Sequence, residues 1–232
     1  MSADAQQNRP AAPAVPAASA VASVWPRPRR KEQQPALSRA QIVAAAVRLL
    51  DAEGIDALSM RRLGTGMGAA ATSLYRHVTG KDELIALVVD EVYGELEVPG
   101  AASAAEWRDA VSLGGHSLRA MALRHPWVAS VLGQVGPAPL GPNLMRMSER
   151  MLALFRTAGF PADEADRAMN AVLSYVVGAT TGEAAHLSRL ARSGRSEQER
   201  VEGRDPRKLR EETFDYGLQR VLDGLEMRLS RG

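Results

Sequence analysis

Apolar residues recur every three to four positions along most of this chain. Ile42, Val43, Ala46, Val47, Leu49 and Leu50 form one stripe, and Leu84, Ile85, Leu87, Val88, Val92 and Leu96 form another. Leu144, Met147, Met151 and Phe155 follow at i, i+3, i+7 and i+11, and Phe214, Leu218, Val221, Leu222, Leu225 and Leu229 close the series. A period near 3.6 places each set on one face of a helix. The starts and stops agree. Ser38 and Gln41 have capping-box spacing with Leu37 and Ile42 as a staple, and Gly54 suits the position just past a C-terminus. Ser59 is a natural N-cap flanked by Leu58 and Leu63. Lys81 opens a helix over 81–97 that Val98-Pro99-Gly100 ends. Ser103 and Glu106 predict a second capping box, starting a helix that runs to His125 before Pro126; residues 133–141 form a loop. Pro142 suits the first turn of the next helix, which Gly159 closes. One long helix over 161–190, a surface excursion over 191–206 and a last helix over 207–229 complete an all-α fold.

The stretch 58–81, L-S-M-R-R-L-G-T-G-M-G-A-A-A-T-S-L-Y-R-H-V-T-G-K, carries the densest information. No carboxylate lies between Asp56 and Asp82, whereas Arg61, Arg62, Arg76 and Lys81 are cationic. Two short helical halves flank a turn containing Gly68. In the second half Leu74 and Val78 share one face, leaving Thr72, Ser73, Tyr75, Arg76 and His77 largely on the other. A capped helix, a short turn, a polar-faced second helix and local positive charge describe a helix-turn-helix that reads DNA. Four cations could also form a merely solvated face; the joint pattern favours the reading surface.

The chain resembles the tetracycline-repressor (TetR) family of bacterial regulators. The resemblance rests on L-S-R-A-Q-I-V-A-A-A-V-R-L-L-D-A-E-G over 37–54, on L-S-M-R-R-L over 58–63 and above all on T-S-L-Y-R-H-V-T-G-K-D-E-L over 72–84. H-P-W at 125–127, G-P-N at 141–143 and G-A-T-T-G-E-A-A at 178–185 look like the family's tetracycline-repressor-type C-terminal half. The resemblance implies a homodimer that binds a palindromic double-stranded DNA operator and is released by a small-molecule effector. It implies phosphate contacts from Arg61 and Lys81, phosphate or base-edge bonds from Tyr75 and His77, base-edge contacts from Thr72 and Ser73, and places for Ser59 and Arg76 on the same surface. The chain departs from the family pattern at Gly64-Thr65-Gly66-Met67-Gly68, where glycines weaken the first reading helix by about 1 kcal/mol each relative to alanine.

Composition changes this picture little. The 232 residues suffice for a full core, 45% are apolar and only 4% aromatic, and β-branched runs are few. A net charge of +2 means that affinity for nucleic acid must come from local placement. Without cysteine there are no disulfides, thiol nucleophiles or thiolate metal sites, which fits a cytoplasmic protein. No window is long and apolar enough for a membrane span. Residues 1–36 hold six of the 13 prolines and the basic run R-P-R-R-K at 27–31. They predict a disordered arm, either a solvated tail or one that lies along phosphates. The expected divisions are this arm, a DNA-binding domain over 37–98 and an effector-binding and dimerisation domain over 99–232.

Catalytic motifs do not survive inspection. Gly64-Thr65-Gly66-Met67-Gly68 lacks the dinucleotide spacing, and Gly80-Lys81 lacks both the upstream glycine and the following Ser/Thr of a P-loop. His77, His116, His125 and His186 show no metal-ligand spacing, so neither metal nor cofactor is expected. His125, at a helix end, reads as structural. A mostly apolar effector cavity is expected among His116, Met121, Met147, Met151, Phe155, Tyr175 and His186, against the alternative of a filled core. The long and last helices, with Gly178, Ala179, Gly182 and Ala185, are expected to form the dimer seam. Two other classes stay open: a helical binding or scaffold protein with a vestigial helix-turn-helix, and an all-helical enzyme.

Overall fold

The computed structural model describes residues 37–100, 103–132, 141–193 and 205–230. The N-terminal arm, the 133–140 loop and most of the 191–206 excursion lie outside them. Among the described residues the chain forms nine α-helices, one short 3-10 turn (Ile55–Ala57) and no strand.

The first four helices build a small unit. α1 (Arg39–Glu53) starts in the expected capping box: the Ser38 hydroxyl accepts from the Gln41 amide at 3.2 Å, and the Gln41 side chain accepts from the Ser38 amide at 3.0 Å. α2 (Met60–Gly66) starts at Ser59, whose hydroxyl accepts from the Arg62 amide at 3.2 Å. α3 (Ala71–Leu74) is a single turn, and α4 (Lys81–Tyr93) packs against α1. Ile42, Ala46, Leu50, Leu58, Leu63, Leu74, Val78, Leu84 and Val88 are all buried at their centre. The glycines that weaken α2 have a use. A Cβ on Gly64 would stand 2.8 Å from the Ala69 carbonyl and 3.2 Å from Leu74, so glycine lets α2 and α3 close on each other.

The remaining helices form a second layered bundle. α5 (Trp107–Arg124) crosses α7 (Pro142–Thr157), α8 (Ala162–Ser193) and α9 (Pro206–Leu229), and α6 (Trp127–Leu132) turns back toward the first unit. Trp107, Phe155 and Phe160 meet in tilted and edge-on contacts with ring centroids 5.7–6.0 Å apart. At the far end Arg108 joins α5 to α9 through Asp223, Glu226 (2.8 Å) and Gln219 (2.9 Å).

Two expectations change. The capping box at Ser103 does not form. Glu106 adopts helical dihedrals, Ser103 offers only its backbone carbonyl to the Glu106 amide (3.2 Å), and the helix begins at Trp107 with no side-chain cap. The helix expected over 81–97 stops at Tyr93, where the chain turns so that Val98 can be buried and the Glu97 amide can donate to Ser117 (2.9 Å). Between the end of α5 and residue 133, Pro126 precedes α6, whose Trp127, Val128 and Val131 are buried.

Candidate nucleic-acid interface and sensor

α2 and α3 set the geometry of the candidate interface. Leu74 and Val78 anchor its floor, fully or almost fully buried, while Tyr75 is 53% exposed and Thr72 and Arg76 are exposed beside it. The reading segment is tighter than a regular helix. After Leu74 the His77 amide donates back three residues to the Leu74 carbonyl (2.9 Å), and Val78 donates four residues back to the same oxygen (3.1 Å). Tyr75, Arg76 and His77 thus sit on the turn that extends α3 rather than on a continuous helix. The structure brings Arg61, Thr72, Ser73, Tyr75, Arg76 and His77 together on the α2–α3 pair, with Lys81 opening α4 directly afterwards. Ser59 is engaged as the cap of α2.

Charge pairing divides the cations. Arg62 is held by Glu53 of α1, and Arg39 donates to the His77 carbonyl (3.0 Å) and approaches Glu83 (3.4 Å). Arg61, Arg76 and Lys81 make no ion pair with any described residue, which leaves their charge for an outside anion. Glu83 faces inward. Its carboxylate accepts from the Thr79 amide (2.5 Å) and hydroxyl (2.7 Å), and these bonds, with Arg39 nearby, hold its pKa below the ordinary glutamate range. Of the two acidic side chains in the first turn of α4, Glu83 is therefore tied to the backbone, while Asp82 is exposed. Arg39 and Glu83 escaped the sequence reading, because only the fold brings residue 39 to residue 77.

The expected effector residues occupy several places among the described residues. Met147, Met151 and Phe155 are packed in the core of the second bundle. Tyr175 donates to the Phe214 carbonyl (2.8 Å), and burial raises its pKa. His186 is half-buried on α8. Met121 lines a narrow void of about 20 Å³ with Tyr93, Leu118, Val128, Val176 and Thr180. His116 bonds Asp215 (3.2 Å) and meets Phe214 edge-on, and it lines a much larger open cleft of about 780 Å³. That cleft is walled by Leu96, Val98 and Leu113, with Glu95, Glu97, Ser117, Arg124 and Arg150 beside His116 as its polar groups. It lies where the α4–α5 connection crosses α5, a place no local sequence signal marks. Beside these spaces Glu183 receives two bonds from Arg119 (2.7 and 2.8 Å) and one from Arg210 (3.0 Å), tying α5, α8 and α9 together.

Among the described residues no helix is long and apolar enough to cross a membrane. Comparison with known proteins agrees with this geometry. Residues 42–88 match the family of bacterial regulatory proteins called tetR, and residues 99–229 match the tetracyclin repressor-like C-terminal domain. A transcriptional regulator of the helix-turn-helix type from Saccharopolyspora erythraea is 40% identical over 163 residues, covering 69% of this chain and 67% of its own. The transcriptional repressor DrrR1 of Streptomyces coeruleorubidus is 35% identical over 227 residues, 88% of this chain and 83% of its own. The crystal structure of ActR from Streptomyces coelicolor in complex with actinorhodin superposes with a TM-score of 0.68 at 30% identity, over 83% of this chain and 96% of that one.

Proposed function

The chain belongs to the tetR family of bacterial regulatory proteins, and from that premise we propose how its own residues carry out ligand-responsive repression. The observation that carries the reading is the carboxylate-free run over 57–81, which spans α2 and α3 and ends at Lys81, with Arg61, Arg76 and Lys81 making no ion pair with any described residue and Tyr75 exposed. Arg61 and Lys81 hold phosphates and fix register. Tyr75 and His77 bond phosphate or base edges, and Thr72 and Ser73 read bases in the major groove. The protein acts as a regulator rather than an enzyme, in the cytoplasm where its operator lies.

Two reading units must enter successive major grooves about 34–36 Å apart, so the working form is a dimer on an inverted repeat. α8 and α9 support that assembly. Val177, Tyr216 and Met227 are exposed on them, and Gly178 and Gly182 face open space within the single chain. Because a side chain at 182 meets nothing inside the protomer, Gly182→Leu leaves the fold intact and should weaken only association. Sedimentation at micromolar concentration tests this. The parent chain sediments as a dimer and Gly182→Leu shifts toward monomer; a monomeric parent overturns the reading.

The effector is a small, largely apolar molecule taken up by the sensor. The cleft beside Leu96, Val98 and Leu113 supports uptake of a small molecule by its size, since about 780 Å³ matches small-molecule sites whereas about 20 Å³ holds little more than a water; its Glu95, Glu97, Arg124 and Arg150 add charged partners to that apolar wall. Actinorhodin, the ligand in the ActR complex, is the first probe to offer it. Release of a bound operator duplex on its addition, followed by fluorescence anisotropy, supports the assignment of ligand class; operator retention at saturating probe counts against it.

A further inference from the structure

The helix that leads out of the reader caps the start of a helix in the sensor. Pro142 has no N–H, so the first donors at the N-terminus of α7 are the amides of Asn143 and Leu144. No local side chain accepts from them, because the N-cap position is Gly141. Instead Asp90 of α4 supplies one carboxylate oxygen to both amides, at 2.9 and 3.1 Å. Asn143 returns the contact, donating its side-chain amide to the Asp90 carbonyl (3.1 Å) and carboxylate (3.2 Å). The missing side chain at 141 is part of the fit, since a Cβ there would overlap the Asp90 carboxylate.

A second tie lies at the other side of the reader. His125, buried at the C-terminus of α5, bonds Asp51 of α1 through Nδ1 (2.7 Å) and Glu95 of the α4–α5 connection through Nε2 (3.1 Å). Trp127 of α6 adds a bond to the same Asp51 oxygen (2.8 Å), and Arg124 bonds Glu95 (2.6 Å). Glu95 and Arg124 also wall the open cleft.

We propose that Asp90 and His125 are positioning residues that bolt the operator reader to the sensor at two points, so that the N-terminus of α7 and the C-terminus of α5 set the direction of α4. The inference rests on the reading of this chain as a DNA-binding regulator. Lys81 lies nine residues from Asp90 on one rigid helix, about 14 Å at 1.5 Å per residue. A tilt imposed at Asp90 is therefore delivered to the reading surface. An occupant of the cleft meets the His125 bolt directly, through Glu95, and the Asp90 bolt through α4.

The absence of cysteine makes a direct test simple. Spin labels at Ala44→Cys on α1 and Ala153→Cys on α7, both exposed, report the reader-to-sensor distance within one chain when the labelled protein is diluted into excess unlabelled chain. Pulsed dipolar spectroscopy should give a narrow distribution for the parent, at least twofold broader for Asp90→Ala and for His125→Ala. Asp90→Asn, which keeps a capping oxygen, should restore the narrow width. Gly141→Ala removes no bond but wedges the carboxylate, and should shift the mean distance. Unchanged widths in both alanine variants, an unmoved mean in Gly141→Ala, or an Asp90→Asn distribution as broad as Asp90→Ala would each overturn the proposal. Should either alanine variant fail to fold, Asp90→Asn and Gly141→Ala decide the matter alone. No DNA enters this measurement, so a chain with firm bolts that binds no operator would refute the function and leave the bolts standing.

Discussion

In the reader, the side-chain caps come from close neighbours: Ser38 caps α1, Ser59 caps α2, and Glu83 reaches back to Thr79 at the start of α4. In the sensor, α9 has a local cap in Asp205, but α5 starts with no side-chain cap and α7 is capped by Asp90, 53 residues away in sequence. The reader ties Arg62 and Arg39 between its helices but leaves Arg61, Arg76 and Lys81 without an ion pair to any described residue, while the sensor's Arg108 and Arg119 tie α5 to α9 and α8. A reading surface must hold its shape alone and offer unpaired cations to DNA. A sensor must hold its helices to one another and to the reader, so its bonds run between distant segments.

The contrast predicts separable losses. Phe155→Ala, in the aromatic cluster with Trp107 and Phe160, should cost about 3–5 kcal/mol of stability in urea unfolding. The same variant, where folded, should keep the parent's base preference; a changed preference would break the division between the two regions. Gly217→Ala should cost about 1–3 kcal/mol, because its Cβ would overlap the Tyr175 ring and strain the Tyr175–Phe214 bond. A neutral Gly217→Ala would show that α8 and α9 are not held as tightly as their contacts imply.

In the reader the order reverses, with binding lost and stability kept. Arg61→Ala and Lys81→Ala should each lower the salt dependence of operator binding by about one unit on a log-log plot, with the base preference intact. Thr72→Ala or Ser73→Ala should relax base preference with the slope unchanged. Identical behaviour of all four variants would refute the roles assigned to them. The smallest effect concerns Glu83. Hydrogen bonds from Thr79 lower its folded pKa, so its contribution is complete above the ordinary glutamate range and is lost as pH falls through the lowered folded value. Glu83→Gln should flatten that acid limb of the stability profile, measured by thermal melts across acidic pH; an unchanged limb would remove Glu83 from the account.

The same division explains what the sequence could reveal. The capping box at Ser38, the cap at Ser59 and the helix start at Lys81 are written within a few residues of one another, and the structure has all three. The polar face around Tyr75 was legible from the spacing of Leu74 and Val78 alone. The one-turn length of α3 was not, since it depends on how closely α2 can approach at Gly64. Gly141 had no local meaning until Asp90 arrived from another helix. His125 read as a structural helix-end residue, but its partner Asp51 lies 74 residues away. Met147, Met151 and Phe155 were placed on the right helix face, and the structure buries all three, yet periodicity cannot say whether such a face lines a cavity or fills a core.

Selection from a random pool of DNA duplexes tests the central claim most directly. A dimer that reads through Thr72, Ser73, Tyr75 and His77 should enrich an inverted repeat whose half-site centres lie about one helical turn, 10–10.5 base pairs, or a multiple of it apart. Enrichment of an unrepeated site, or of no sequence at all under conditions where the protein is folded and dimeric, would contradict it.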